Sequence, residues 1–268
     1  MKHWNYDNEQ WTKLPTYLKH LPLFTRHVDL FSASMRLVWS FLLKDIAFGL
    51  YIRLKVTGTP FSELRRTHPK LLIISNHASH LDATSIAAAI PRIYWLDLYI
   101  AAAKDYFFSN ALFTFFSKHC LGAIPIDRKD RRGEAINLII KLLNDLPRIW
   151  LIIFPEGTRS KDGKIQDFKR GISIFAERTK TPILFVYIEG NAKLWPKGKN
   201  FPRPGTMNIH VGPVHPPGDI KTVYAAYKAW VVTINPLAFH DEDQNESTER
   251  TTSSTEDFDE STDPESET

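Results

Sequence analysis

Cysteine is almost absent from this chain of 268 residues. Cys120 stands alone, so no intramolecular disulfide can form and nothing points to an oxidising compartment. Long apolar runs are missing from the N-terminal stretch Leu30–Leu54. Its longest charge-free pieces are Leu37–Leu43 and Ile46–Ile52, far short of the roughly 20 residues that span a bilayer. Lys44 and Asp45 divide them, each costing about 3 kcal/mol at a bilayer centre. The first residues hold no short apolar block ending in small side chains, so no signal peptide is expected. No internal repeat is visible. Acidic residues are scarce until the end. Residues 241–268 hold twelve Asp/Glu and one Arg, so the first 240 residues carry +15 although the whole chain carries +4. A part that basic favours anionic partners: phosphates, lipid headgroups or nucleic acid. The acidic end has Phe258 as its only large apolar residue and is expected to be disordered.

What is present reads in four parts: an arm over 1–29, an amphipathic helix over 30–55, one domain over 56–236 and an acidic tail over 237–268. In the helix, Ser32, Arg36, Ser40 and Lys44 recur at every fourth position. They draw a narrow polar stripe on a broad apolar surface, which suits a helix lying in a membrane interface or packed on a core. After Gly58 the pattern alternates. Strands are predicted at 71–75, 98–103, 123–126, 149–154, 183–188 and 207–211. Helices are predicted at 82–90, 109–119, 132–146 and 171–179. Such alternation predicts an α/β fold: a mostly parallel central sheet with helices on both faces, preceded by the amphipathic helix. Ligands then bind beyond the carboxyl ends of strands.

The chemical motifs follow strands. Ile74-Ser-Asn-His-Ala-Ser-His-Leu-Asp82 places His77 at a strand end and Asp82 five residues later. A carboxylate there can hold one imidazole nitrogen and leave the other to take a proton, with no serine nucleophile. The plainer alternative is a strand-end histidine and an early-helix carboxylate. A third reading, a metal-dependent hydrolase using His77, His80 and Asp82, lacks a companion cluster to complete the shell. Phe154-Pro-Glu-Gly-Thr-Arg-Ser160 brings a glycine turn, the Thr158 hydroxyl and the Arg159 fork suited to phosphate. Gly122-Ala-Ile-Pro-Ile-Asp-Arg128 offers Arg128 as a second phosphate contact beside Asp127, with Arg131 and Arg132 following. Lys169 and Arg170 precede a helix start, where an anion is also favoured. Cys120 beside His119 reads as packing rather than a dyad. The dense aromatics Tyr106-Phe-Phe108 and Phe113-Thr-Phe-Phe116 suit a core, an acyl pocket or lipid.

Taken in order, Asn-His-x4-Asp, Ile-Pro-Ile-Asp-Arg, Phe-Pro-Glu-Gly-Thr-Arg-Ser and Thr181-Pro-Ile183 resemble the glycerolipid acyltransferase family, typified by 1-acyl-sn-glycerol-3-phosphate acyltransferase. The match covers roughly residues 70–215. The resemblance implies acyl transfer from acyl-CoA or acyl carrier protein to the hydroxyl of lysophosphatidic acid or a related lyso-glycerolipid. His77 would be the general base and Asp82 its orienting acid. Arg128, Glu156, Gly157, Thr158 and Arg159 would form the acceptor site. No metal, no cofactor beyond the acyl co-substrate and no acyl-enzyme is implied. The expected partners are a membrane lipid acceptor and an anionic membrane surface, not nucleic acid, with peripheral or monotopic attachment at the cytoplasmic face. The remaining rival is a non-enzymatic protein that binds anionic lipid.

Overall fold

The computed structural model describes residues 30–107, 109–126, 134–196, 198–199 and 201–240. The arm, the acidic tail beyond His240, Phe108 and the loop with Asp127, Arg128, Arg131 and Arg132 lie outside the described residues. Helix α1 (Leu30–Phe41) continues as a wider π-helical stretch (Leu42–Tyr51) and gives way to strand β1 (Ile52–Gly58). There follow α2 (Phe61–Thr67), β2 (Lys70–Ser75), α3 (Asp82–Ala89), a 3-10 segment (Arg92–Asp97) and β3 (Leu98–Ala103). After the short α4 (Lys104–Phe107) come α5 (Ala111–Phe116, extended to Leu121), β4 (Ala123–Ile126), α6 (Glu134–Asp145) and β5 (Ile149–Ile153). The chain ends with α7 (Gly171–Thr179), β6 (Ile183–Glu189), α8 (Asn191–Leu194), β7 (Gly205–His215) and α9 (Ile220–Val232).

The strands form one sheet in the order β1-β7-β6-β2-β5-β3-β4. Every neighbouring pair is parallel except β6 with β7. Strands β2, β5 and β6 are near-continuous aliphatic runs because both of their faces are covered. Alternate residues serve opposite layers. Leu72, Ile74, Leu151 and Phe185 pack under α6, α7 and α9. Leu71, Ile73, Trp150 and Val186 pack under α2, α3 and the π-helical stretch. Helices therefore lie on both faces, as the α/β reading expects.

Several elements differ from the sequence reading; α2 was not expected, and β7 runs over Gly205–His215 rather than 207–211. The N-terminal helix stops at Tyr51, not 55, because Ile52, Leu54 and Val56 alternate with Arg53, Lys55 and Thr57. That is a period of two, and the segment pairs with β7 as an edge strand. Helix α9 was not anticipated at all; Asp219 caps it, accepting from Lys221 N and Thr222 N. The folded part also runs past 236. Pro236–Ala238 forms a 3-10 turn, Phe239 is fully buried, and Ile165 N donates to Ala238 O. One apolar anchor just before the acidic run draws the last residues onto the core.

From Arg36 to Lys44 the polar stripe faces the protein. Arg36 is buried, donates to the carbonyls of Leu96 and Leu98, and lies over the Tyr99 ring. Ser40 is buried, and Lys44 Nζ donates to Ile90 O at 2.9 Å. The apolar side chains Phe31, Val38, Phe41, Ile46 and Leu50 point outward instead. Among the described residues, no helix is long and apolar enough to cross a membrane.

Candidate active site

Strands β2 and β5 lie side by side, with Ile74 opposite Ile153. His77 and Glu156 therefore leave the sheet equally far beyond that pair, on adjacent carboxyl ends. The His77 loop is tied down on every side. Asn76 is buried, and its side-chain amide donates to Ile188 O and accepts from Ile188 N, extending the β2–β6 pairing by a side chain. Asn76 N donates to Tyr227 OH on α9, and that hydroxyl donates to Val186 O. His77 O accepts from Ser160 N at 2.7 Å.

At the start of α3, Asp82 is fully buried beneath this loop. Its Oδ2 lies 2.8 Å from His77 Nδ1 and accepts from Ala78 N and Ser79 N, also at 2.8 Å. Its Oδ1 accepts from Asn191 Nδ2 at 2.9 Å. These N–H bonds fix the carboxylate in place, and its Oδ2 holds the imidazole in one tautomer. The His77 ring stacks on Phe154, with centroids 4.1 Å apart. Its side chain is 20% exposed. Its Nε2 takes no hydrogen bond from the described residues. The ring is thus gripped from one side and open to a ligand on the other.

Glu156, expected among acceptor contacts, is instead buried under the loop. Its Oε1 accepts from His77 N at 2.7 Å and its Oε2 from Gln166 N at 3.3 Å. Burial pushes this carboxyl up to about 8, against those two bonds, with Asp82 and Asp162 adding to the rise. The folded state then holds this proton more tightly than the unfolded chain, whose carboxyl sits near its ordinary 4.5. The resulting stability is complete below the lower value and is lost as pH rises through the higher one. Wild-type stability should therefore fall relative to Glu156→Gln between pH 5 and 8, by on the order of 1 kcal/mol per pH unit. Urea denaturation of both proteins at several pH values checks this; parallel curves exclude it.

Gly157 has φ +71°, and a Cβ there would meet the Lys169 side chain at 2.9 Å, so glycine lets Lys169 lie across the turn. Thr158 and Arg159 are half-buried on the same loop. Burial lowers the His80 pKa, and the charges of Arg159 and His77 lower it further against Asp82. His80 faces Trp195, with ring centroids 5.0 Å apart. Among the described residues, no three His, Cys, Asp or Glu side chains gather as metal ligands do. Asn191, Tyr227, Gln166 and Phe154 were not singled out in the sequence. Only Gly190-Asn191, following a strand, offered a signal there.

A family model described as Acyltransferase matches residues 53–189, half of the chain. The chain belongs to the acyltransferase family. The 1-acyl-sn-glycerol-3-phosphate acyltransferase alpha of Mus musculus is 31% identical over 170 residues, covering 60% of this chain and 54% of that protein. The chloroplastic 1-acyl-sn-glycerol-3-phosphate acyltransferase of Brassica napus is 28% identical over 131 residues, covering 47% and 34%. The chain thus spans about half or less of the length of these curated relatives. The crystal structure of the 1-acyl-sn-glycerophosphate (LPA) acyltransferase PlsC from Thermotoga maritima superposes with a TM-score of 0.59 at 25% identity, covering 74% of this chain and 79% of that one. The sheet that carries His77 is therefore shared with a solved member of the family.

Proposed function

We propose that this acyltransferase moves a fatty acyl group from acyl-CoA or acyl carrier protein to the free hydroxyl of lysophosphatidic acid or a related lyso-glycerolipid. The carrying observation is the His77–Asp82 contact of 2.8 Å with Nε2 left open. A hydroxyl is a poor nucleophile at neutral pH, so a base within hydrogen-bond reach is the group it needs. His77 Nε2 takes the hydroxyl proton as the oxygen attacks the thioester carbonyl, and buried Asp82 stabilises the imidazolium. When the carbon–sulfur bond breaks, the thiolate leaves and recovers that proton from His77. No acyl-enzyme and no cofactor enters this sequence.

Arg159, Thr158 and the Gly157 turn are the acceptor groups in this reading, with Arg128 as a further phosphate contact. The Arg159 fork pairs with a phosphate in two parallel hydrogen bonds. Glu156 acts beneath them by fixing the His77 backbone. The assay is transfer of a labelled acyl group from acyl-CoA by purified protein to a panel of lyso-lipids. Lysophosphatidic acid should outcompete monoacylglycerol by tenfold or more in kcat/KM, roughly the value of one charged hydrogen-bond pair. Equal use of both, or release of label only as free fatty acid, overturns the proposal.

The inverted α1 supports attachment to a lipid surface. Its polar stripe is spent on the protein, and its apolar side chains face out beside a basic domain. Flotation with anionic vesicles tests this. Wild type should float, and a Phe41→Glu/Leu50→Glu variant should stay below; floating of both excludes this face.

A further inference from the structure

We infer that Asn191 is a positioning residue for the His77–Asp82 pair: its side-chain amide holds the second carboxylate oxygen so that the first stays on the imidazole. The inference rests on the base role proposed for His77. Asn191 is buried, and its Nδ2 donates to Asp82 Oδ1 at 2.9 Å. Its own side-chain oxygen accepts from Ala192 N at 3.0 Å. That second bond decides which end of the amide faces Asp82, because the oxygen is already engaged.

The donors on Asp82 Oδ2 all come from one loop: His77 Nδ1, Ala78 N and Ser79 N. Asn191 comes from another element, at the end of β6. Rotation of the carboxylate about Cβ–Cγ would break this bond together with those to the loop. Gly190 makes the delivery possible. Its φ is +83°, and a Cβ there would sit 3.0 Å from Thr206 O, so the chain turns sharply to bring Asn191 onto α3.

Asn191 is also neutral. It partly satisfies Asp82 without cancelling its charge, and so it sets how firmly His77 holds a proton. Removing the donor strengthens the pull of this corner on the imidazolium. The other charged or titratable groups around His77 are His80 on its own loop, Glu156, Arg159 and Asp162 on the loop after β5, Lys169 across Gly157, and Tyr227 on α9. None of them changes in an Asn191 variant.

The test is the pH profile of kcat/KM for transfer from acyl-CoA to lysophosphatidic acid. Titration of the substrates is common to all variants, so a difference between profiles belongs to the enzyme. Asn191→Ala should lower kcat roughly tenfold, leave the acceptor KM near wild type and move the acidic limb upward by roughly one pH unit. Asn191→Leu has nearly the same volume without the donor and should move the limb in the same direction, so it gives the answer if the alanine variant does not fold. An unmoved limb in the folded variants, with His77→Ala inactive, removes the role of Asn191 and leaves the base role standing. Full activity in His77→Ala removes both.

Discussion

His77→Ala lowers kcat for acyl transfer by about 10²- to 10⁴-fold or more, the share a general base supplies, while the protein stays folded. The loss is confined to chemistry because of where the ring sits. Its side chain is partly exposed, and the backbone of residue 77 keeps its bonds to Glu156 and Ser160 whatever the side chain is. Stability should fall by about 1–3 kcal/mol, because the fully buried Asp82 loses its imidazole partner. Acceptor KM should change little, since the proposed phosphate contacts lie on another loop. A variant that keeps more than a tenth of wild-type kcat contradicts the base role.

Asp82→Asn should cost about 10²- to 10⁴-fold in kcat, comparable with amide replacement of the orienting acid in a hydrolase triad. The variant keeps the shape and loses the charge proposed to stabilise the imidazolium. It also sets an amide NH2 into a corner built from donors. If the introduced amide turns its oxygen toward His77, Ala78 and Ser79, its NH2 meets the NH2 of Asn191. Asn191 is held in place by Ala192 N and cannot turn without losing that bond. The loss should appear in kcat with acceptor KM nearly unchanged. A drop in affinity alone would mean that Asp82 serves the binding site and not the imidazole.

The parts of this protein that local pattern controls were legible in its sequence. Strands β3 and β4 and helix α7 fall where the apolar runs place them, because buried parallel strands and amphipathic helices carry their own periodicity. His77 and Asp82 share one short loop, so their spacing alone suggested the contact. Strand β1 was hidden because an apolar helix runs straight into it, and only the alternation from Ile52 separates the two. Asn191, Tyr227 and Ile188 reach the site across 109 to 151 residues, and apart from the Gly190-Asn191 turn no local signal points to them. Glu156 could be picked out as a motif residue, yet the direction of its carboxylate, inward to the His77 backbone, depends on the register of β2 against β5.

The most direct test is a crystal structure of the wild-type protein with a lyso-lipid acceptor bound. The account predicts the free hydroxyl within about 2.6–3.2 Å of His77 Nε2 and the acceptor phosphate against Arg159. A bound acceptor whose hydroxyl lies away from the imidazole, with another side chain at hydrogen-bond distance from it, contradicts the account.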